Sequence, residues 1–330
     1  MTSEYRVVGT GSTGDYCGQY EDQETNSRIM ADAVRFSNSY EISELFMKSA
    51  NAVLYMAKCK QTGKKVLMKQ LPKVKTGSTS LRRVGARLVP PEVYFNFAAY
   101  HPGSNIVKPL DYFERKTSHV LVMEYVDSVD LFELIKRLGA LNPAVIKIIL
   151  RQLIDMWSSL DRAGICHRDI KDENIIVNLE TLECKLIDFG CATEVDHSKI
   201  ETSFSGTPEF YPPEYYLHRE YTHDSLTAWN IGCVVYTLFA GDLPFHGVDK
   251  IIEFDICADP LLDTLTPNAA NLLIGLLNPD PSSRVNFRQA RDLAHDYLNE
   301  KTQWKKEKTH KTHYTALTIY ASHFINFAIN

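Results

Sequence analysis

The run His167-Arg168-Asp169-Ile170-Lys171-Asp172-Glu173-Asn174, with Asp188-Phe189-Gly190 beginning fourteen residues after Asn174, constrains this chain more than any other feature. An ordinary polar loop ahead of a strand rarely carries two such linked clusters. Their residue types are the parts that phosphoryl transfer needs: an aspartate to accept a hydroxyl proton, and an asparagine and a second aspartate to hold magnesium. That reaction asks a protein for little covalent chemistry. It asks for in-line positioning and neutralisation of phosphate charge.

Around this core the chain changes texture. Residues 1–38 are rich in Gly, Ser, Thr, Asp, Glu and Asn without a sustained period, and are expected to form a flexible extension. Val53–Ala57 and Lys65–Lys69 flank Gln61-Thr62-Gly63 as a β-hairpin. Pro90-Pro91 opens an apolar helix to about Tyr100. Strand-like runs follow at Ile106–Phe113 and His119–Tyr125. The second half reads as mainly helical. Asn142 and Pro143 start a helix that Gly164 stops, with Ile149, Leu153, Met156 and Leu160 forming one buried stripe. Further helices are expected at Ser225–Ala240, after Thr266-Pro267 and near Asn286.

Composition limits the partners. A hydrophobic share of 44% across 330 residues supports a sizeable core. A net charge of −5 gives no electrostatic case for nucleic acid. Seven scattered cysteines without a Cys-x-x-Cys pair favour reduced thiols over a disulfide scaffold or zinc site. No secretory signal pattern opens the chain and no eighteen-residue apolar run would span a membrane. A cytoplasmic or also nuclear monomer is the expectation.

Upstream of the polar loops, Lys69 ends a strand and Glu92 lies early in a helix. Downstream, Gly206-Thr207-Pro208-Glu209-Phe210-Tyr211-Pro212-Pro213-Glu214 closes a segment that starts at Asp188, and Arg284 follows Pro281-Ser282-Ser283. Together these motifs, in this order, resemble the protein kinase superfamily. Asp130-Leu131-Phe132, Lys185–Gly190, Gly241–Phe245, and Thr227 two residues before Trp229 resemble the Pim family of serine/threonine kinases more closely, over about residues 40–298.

The resemblance implies an α+β, bilobal protein-kinase-like fold, with a small, mostly antiparallel β lobe bearing one main helix and a larger helical lobe. The implied boundaries are 39–298 for the domain, divided into 39–124 and 125–298, with 299–330 as a C-terminal tail. It further implies ATP and Mg2+ as cofactors. Asp169 would orient and deprotonate the substrate hydroxyl, Lys171 would sit against the transferring phosphate, and Asn174 and Asp188 would hold magnesium. Lys69 would grip the nucleotide phosphates, fixed by Glu92. Glu124 and Val126 would meet adenine through their backbone, with Met123 as gatekeeper. Phe46, Leu54, Leu67, Ile176 and Asp130 complete the implied nucleotide site. Asp130, Glu133, Asp172 and Glu173 would read basic residues ahead of the phosphoacceptor, beside Thr207. Glu214 would pair with Arg284 to brace the substrate platform. Arg168 would face the segment holding Thr202, Ser203, Ser205, Glu194, Asp196 and Glu201.

Two departures matter. Counted back from Lys69, the glycine positions of the phosphate-covering loop hold Met47, Ser49 and Ala52, and the alanine before the strand lysine is Leu67. A Cβ penalises left-handed backbone and crowds phosphates, so weaker ATP binding is expected. A literal G-x-G-x-x-G at Gly9–Gly14 lies too far upstream and reads as part of a glycine-rich tail. Two functions stay open: an active kinase, or a pseudokinase serving as a binding or scaffolding module.

Overall fold

A computed structural model describes residues 14–49, 52–73, 81–84, 87–197, 199–203 and 205–300. Most of the tail 299–330 and of the Gly9–Gly14 motif lies outside them. In chain order, α1 (Gly14–Ser39) leads into β1 (Tyr40–Lys48), β2 (Val53–Cys59) and β3 (Lys65–Pro72). Short strands β4 (Arg82–Val84) and β5 (Arg87–Val89) precede α2 (Pro91–Ala99), then come β6 (Pro109–Glu114) and β7 (Ser118–Glu124). Beyond them lie β8 (Val129–Asp130), α3 (Leu131–Leu138), α4 (Pro143–Ala163), β9 (Ile165–Cys166), β10 (Ile175–Val177), β11 (Cys184–Leu186) and β12 (Thr193–Glu194). The remaining helices are α5 (Pro213–His218), α6 (His223–Ala240), α7 (Val248–Glu253), α8 (Pro267–Leu276) and α9 (Phe287–Asn299). This is the expected α+β arrangement of a strand-rich part followed by a helix-rich part.

The described chain falls into two compact units. The first, residues 1–78 with 109–125, is built on one antiparallel sheet in the order β1-β2-β3-β7-β6. Side chains alternate between the faces of a strand, and the register sorts them. Met47, Leu54, Lys69 and Leu121 are successive cross-strand partners on one face, with Leu67 and Met123 paired beside them. The other face buries Ala57, Val66, Met68, Phe113, Val120 and Val122, with Phe36 of α1 packed against it.

Over the described residues that helix docks, where the sequence suggests a flexible extension for residues 1–38; residues 1–13 lie outside the described ones. Asp32 is buried and accepts the Glu114 N–H at 2.8 Å. Arg35 donates to Asp111 and to the Tyr112 carbonyl, both at 2.5 Å, and its guanidinium lies 4.0 Å from the Phe113 ring centroid. Phe36 meets Phe113 edge-on, with ring centroids 5.2 Å apart. The docking stripe is charged as well as apolar, so no hydrophobic period announces it.

The second unit, residues 79–108 with 126–330, is mainly helical. By packing it includes α2, which the sequence boundaries assigned to the small lobe. Phe95, Ala99 and Ile106 join the same core as Leu150, Leu153 and Trp157 of α4, Trp229 of α6 and Leu272 of α8. The expected signals start and stop its helices. Asn142 Oδ1 accepts the Ala144 N–H at 2.8 Å and Gly164 ends α4 at φ +64°. Thr266 caps α8, and Asn286 with Gln289 forms a capping box on α9. No described helix is long and apolar enough to cross a membrane.

Candidate active site

Within the helix-rich unit, the antiparallel pair β10 and β11 draws the two polar loops together. Ile175 is in register with Leu186, and Ile187 N–H donates to the Asn174 carbonyl at 2.9 Å, so Asn174 and Asp188 leave adjacent strand ends. His167 anchors the first loop from below: its Nε2 lies 3.1 Å from the Ile187 carbonyl, and its buried ring meets Phe189 edge-on at 4.8 Å.

Asp169 is the convergence point. Its Oδ1 accepts from both the backbone N–H of Thr207 at 2.9 Å and the Thr207 hydroxyl at 2.7 Å. Its Oδ2 and its carbonyl accept from the Asn174 amide at 2.9 and 2.8 Å. This commits the Asn174 nitrogen inward and leaves its side-chain oxygen as the remaining acceptor. Lys171 forms an ion pair with Glu173. Burial opposes the Lys171 charge, but Glu173 and Asp169 hold its pKa above the ordinary value.

Asp188 sits in left-handed backbone at φ +63° and accepts the Gly190 N–H at 3.2 Å. A Cβ on Gly190 would lie 3.1 Å from Asp188 Oδ1 and 3.7 Å from Glu92 Oε2, so the Glu92 carboxylate borders this turn. Asn174 and Asp188 supply oxygen donors, one a carboxylate. Magnesium prefers such a sparse set, completing its octahedron with water and phosphate oxygens. The donor chemistry fits that ion.

Gly206 is fixed by space. It has φ +121°, and a Cβ there would stand 2.5 Å from the Arg168 carbonyl oxygen. Gly206→Ala is expected to displace Thr207 from Asp169, at a cost on the order of 1–3 kcal/mol for the strained backbone. A loss of protection at the Thr207 amide in hydrogen exchange would register it; unchanged protection would show that the loop absorbs the methyl elsewhere.

The buried pair expected at the platform is present. Arg284 donates from Nη1 and Nη2 to the two oxygens of Glu214 at 2.7 and 2.9 Å, lies 4.9 Å from the Trp229 ring centroid, and also donates to the Ser225 and Asn278 carbonyls.

The acids expected to read basic residues differ among themselves. Asp172 is buried at 4% exposure, and its carboxyl is pushed up to about 6 by that burial and then by the nearby Glu173. The sequence reading places it at the surface, and the structure buries it. Asp130 caps α3 by accepting the Glu133 N–H at 2.7 Å, and Glu133 pairs with Arg137 at 2.7 Å. Glu173 is exposed. Arg168, expected to face segment carboxylates, instead donates to the Cys191 carbonyl at 2.6 Å and has no ion-pair partner among the described residues. Glu194 lies 3.5 Å from Arg82, and Glu201 pairs with Lys199 at 2.7 Å.

In the strand-rich unit, Lys69 and Leu67 lie on β3, and Leu54 faces Lys69 from β2. Glu124 ends β7 opposite Val66, and Phe46 is half-exposed on β1. In the β1–β2 connection, Ser49 N–H donates to the Ala52 carbonyl at 2.9 Å, and Ser49 Oγ accepts the Ala52 N–H at 3.1 Å. Neither Met47, Ser49 nor Ala52 has positive φ. The backbone strain expected of these substitutions is absent there.

A family model described as protein kinase domain matches residues 48–298. The chain belongs to the protein kinase family. Its relatives include the serine/threonine-protein kinase pim-2 of Danio rerio, 29% identical over 80% of this chain and 86% of the relative. The PAS domain-containing serine/threonine-protein kinase of Mus musculus is 36% identical over 56% of this chain but only 13% of its own length. The serine/threonine-protein kinase prk-2 of Caenorhabditis elegans is 30% identical over 67% of this chain and 49% of its own. Thus the chain spans most of the Pim relative and a small part of the PAS-domain relative. The Pim resemblance read from the motifs stands, and at the family level these relatives are serine/threonine kinases.

Proposed function

We propose that this kinase domain transfers the γ-phosphate of ATP, with magnesium, to serine or threonine hydroxyls in basic-context protein substrates. The observation that carries the reading is Asp169, held at both carboxylate oxygens by Thr207 and Asn174. Such a fixed carboxylate is suited to orient an acceptor hydroxyl and take its proton. Lys171 would lie against the transferring phosphate, and Asn174 and Asp188 would hold the metal. Lys69, fixed by Glu92, would grip the α- and β-phosphates. The backbone of Glu124 and Val126 would meet adenine, with Phe46, Leu54, Leu67, Ile176 and Asp130 around the nucleotide. Bound Mg-ATP supplies the phosphoryl group and the cation that neutralises its charge. Asp130, Glu133 and Glu173 remain as candidates for pairing with substrate arginines. The activity would need no upstream kinase, in a cytoplasmic or nuclear monomer.

The second reading, a pseudokinase scaffold, is favoured by Met47, Ser49, Ala52 and Leu67. With ordinary backbone at the first three, the cost to nucleotide binding would come from side-chain crowding, chiefly at Leu67. One experiment separates the readings: thermal shift by Mg-ATP, and phosphate transfer to arrayed peptides, beside Asp188→Asn. Expected are a magnesium-dependent shift, transfer favouring Lys or Arg before the acceptor, and loss of transfer in the variant. If neither binding nor transfer is seen at millimolar nucleotide, the scaffold reading prevails; preference for acidic or proline-directed peptides removes the basic-context assignment alone.

A further inference from the structure

His223 opens α6 and is buried at 2% exposure, a position to which the motif reading assigned no role. Two parts of the segment between Asp188 and Glu214 meet its ring. Nδ1 accepts the Asp196 N–H at 3.4 Å, and Nε2 lies 3.6 Å from Glu201 Oε1. Because Nδ1 turns its lone pair to that amide, the neutral ring carries its proton on Nε2, facing the carboxylate. Among the described residues Nε2 makes no hydrogen bond, and Glu201 Oε1 at 3.6 Å is an electrostatic contact just beyond hydrogen-bond length.

Glu201 is buried in turn, and its backbone exchanges hydrogen bonds with Tyr221 at 2.8 and 3.0 Å. Its carboxylate also takes Lys199 at 2.7 Å and the Ser203 hydroxyl at 3.4 Å. Contacts continue toward the site. Tyr221 donates its hydroxyl to the Ser203 carbonyl at 3.0 Å, and Ser205 N–H donates to the Tyr211 hydroxyl at 2.7 Å. Gly206 and Thr207 follow directly, with Thr207 on Asp169.

We infer that His223 is a positioning residue for phosphoryl transfer, an anchor that holds the segment through the Glu201 carboxylate and the Asp196 amide so that Thr207 stays on Asp169. The inference rests on the kinase reading above for its effect on transfer, but the anchoring itself can be read without catalysis.

Charge around the ring fits a neutral anchor. Burial lowers the His223 pKa most, Glu201 opposes this, Arg168 and Lys199 lower it further, and Asp224 opposes; His197 lies 3.1 Å from Asp224. The folded value is below the ordinary 6.5. The neutral ring's contribution is therefore complete above 6.5 and is lost as pH falls through the folded value. Protonation would set an Nδ1–H against the Asp196 N–H, two donors facing each other.

The test compares full-length wild type with His223→Ala, His223→Gln and Lys199→Ala. It reads hydrogen exchange of the amides from Asp196 to Ser205, peptide KM and kcat, and thermal unfolding. In His223→Ala, exchange there should rise by about tenfold or more, and peptide KM by about fivefold, with a smaller change in the KM for ATP. His223→Gln keeps an N–H donor toward Glu201, so it should retain most protection at neutral pH and lack the acid-induced release expected of wild type. Lys199→Ala, removing an exposed partner of the same carboxylate, should change neither reading by more than about twofold. Wild-type exchange and peptide KM in His223→Ala would overturn the anchor. Should His223→Ala melt globally, His223→Gln and the wild-type acid series decide: a segment indifferent to pH in both overturns it. Should wild type transfer no phosphate, the kinase reading fails and the exchange result alone decides the anchor.

Discussion

Replacing Arg284 by methionine is expected to destabilise the helix-rich unit by about 3–5 kcal/mol. The arginine side chain is fully buried and Glu214 nearly so, and removing the guanidinium leaves a carboxylate without its bidentate partner. It also strips a donor from the Ser225 and Asn278 carbonyls. Two buried charges cost desolvation that their attraction only partly offsets, so the pair's net worth is much smaller than the cost of breaking it. The double variant Glu214→Leu with Arg284→Met should therefore recover much of the loss, short of the share owed to those two carbonyls. Urea unfolding midpoints of wild type, single and double variants measure this. A single variant within about 1 kcal/mol of wild type would mean that water reaches Glu214 once the arginine is gone.

This pair shows what was legible in the sequence. Glu214 and Arg284 are 70 residues apart, and their pairing was legible only through the resemblance carried by their flanking motifs. Asp169 and Asn174 sit in one short motif whose contact is local, so motif and contact are nearly the same information. Helix starts were legible for a similar reason: Asn142, Thr266 and Asn286 act on amides two or three residues away. What was hidden depends on partners distant in the chain. Helix α1 docks through Asp32 and Arg35 onto residues about eighty positions later. Its charged stripe looks in sequence like a solvated one. His223 resembles any helix-opening histidine until Asp196 and Glu201 are folded around it. Asp172 reads in sequence as one more surface acid, and its burial shows only once the chain is folded.

The phosphate-covering loop is instructive in another way. Its missing glycines suggested strain, because glycine is the residue that left-handed backbone requires. Here Ser49 and Ala52 hydrogen-bond to each other and neither has positive φ, so no left-handed strain arises at those two positions. The same reasoning succeeds at Gly206, where positive φ and a carbonyl 2.5 Å from the missing Cβ act together. Glycine identity is informative where neighbours on several sides fix the backbone, and weak in a hairpin connection free to choose another turn.

Asp169→Asn should lower kcat by about two to four decades, and its geometry predicts a second effect that simple loss of a base would not produce. One carboxylate oxygen accepts two donors from Thr207, and the other accepts the Asn174 amide nitrogen. An asparagine has one oxygen and one NH2 group. With its oxygen kept toward Thr207, where two bonds are at stake, its NH2 faces the Asn174 NH2. Turning the Asn174 amide over relieves that clash, but it gives up the bond to the Asp169 carbonyl and presents nitrogen where an oxygen was available for magnesium. The variant should consequently need about tenfold more magnesium for half-maximal residual transfer or nucleotide binding. Magnesium titrations of the Mg-ATP thermal shift measure this without turnover, beside Thr207→Ala, which leaves the Asn174 bond intact and should keep the wild-type requirement. If Asp169→Asn loses kcat with an unchanged magnesium requirement, Asn174 holds its orientation independently, and the coupling between the proposed proton acceptor and the proposed metal ligand through their shared hydrogen bond is wrong.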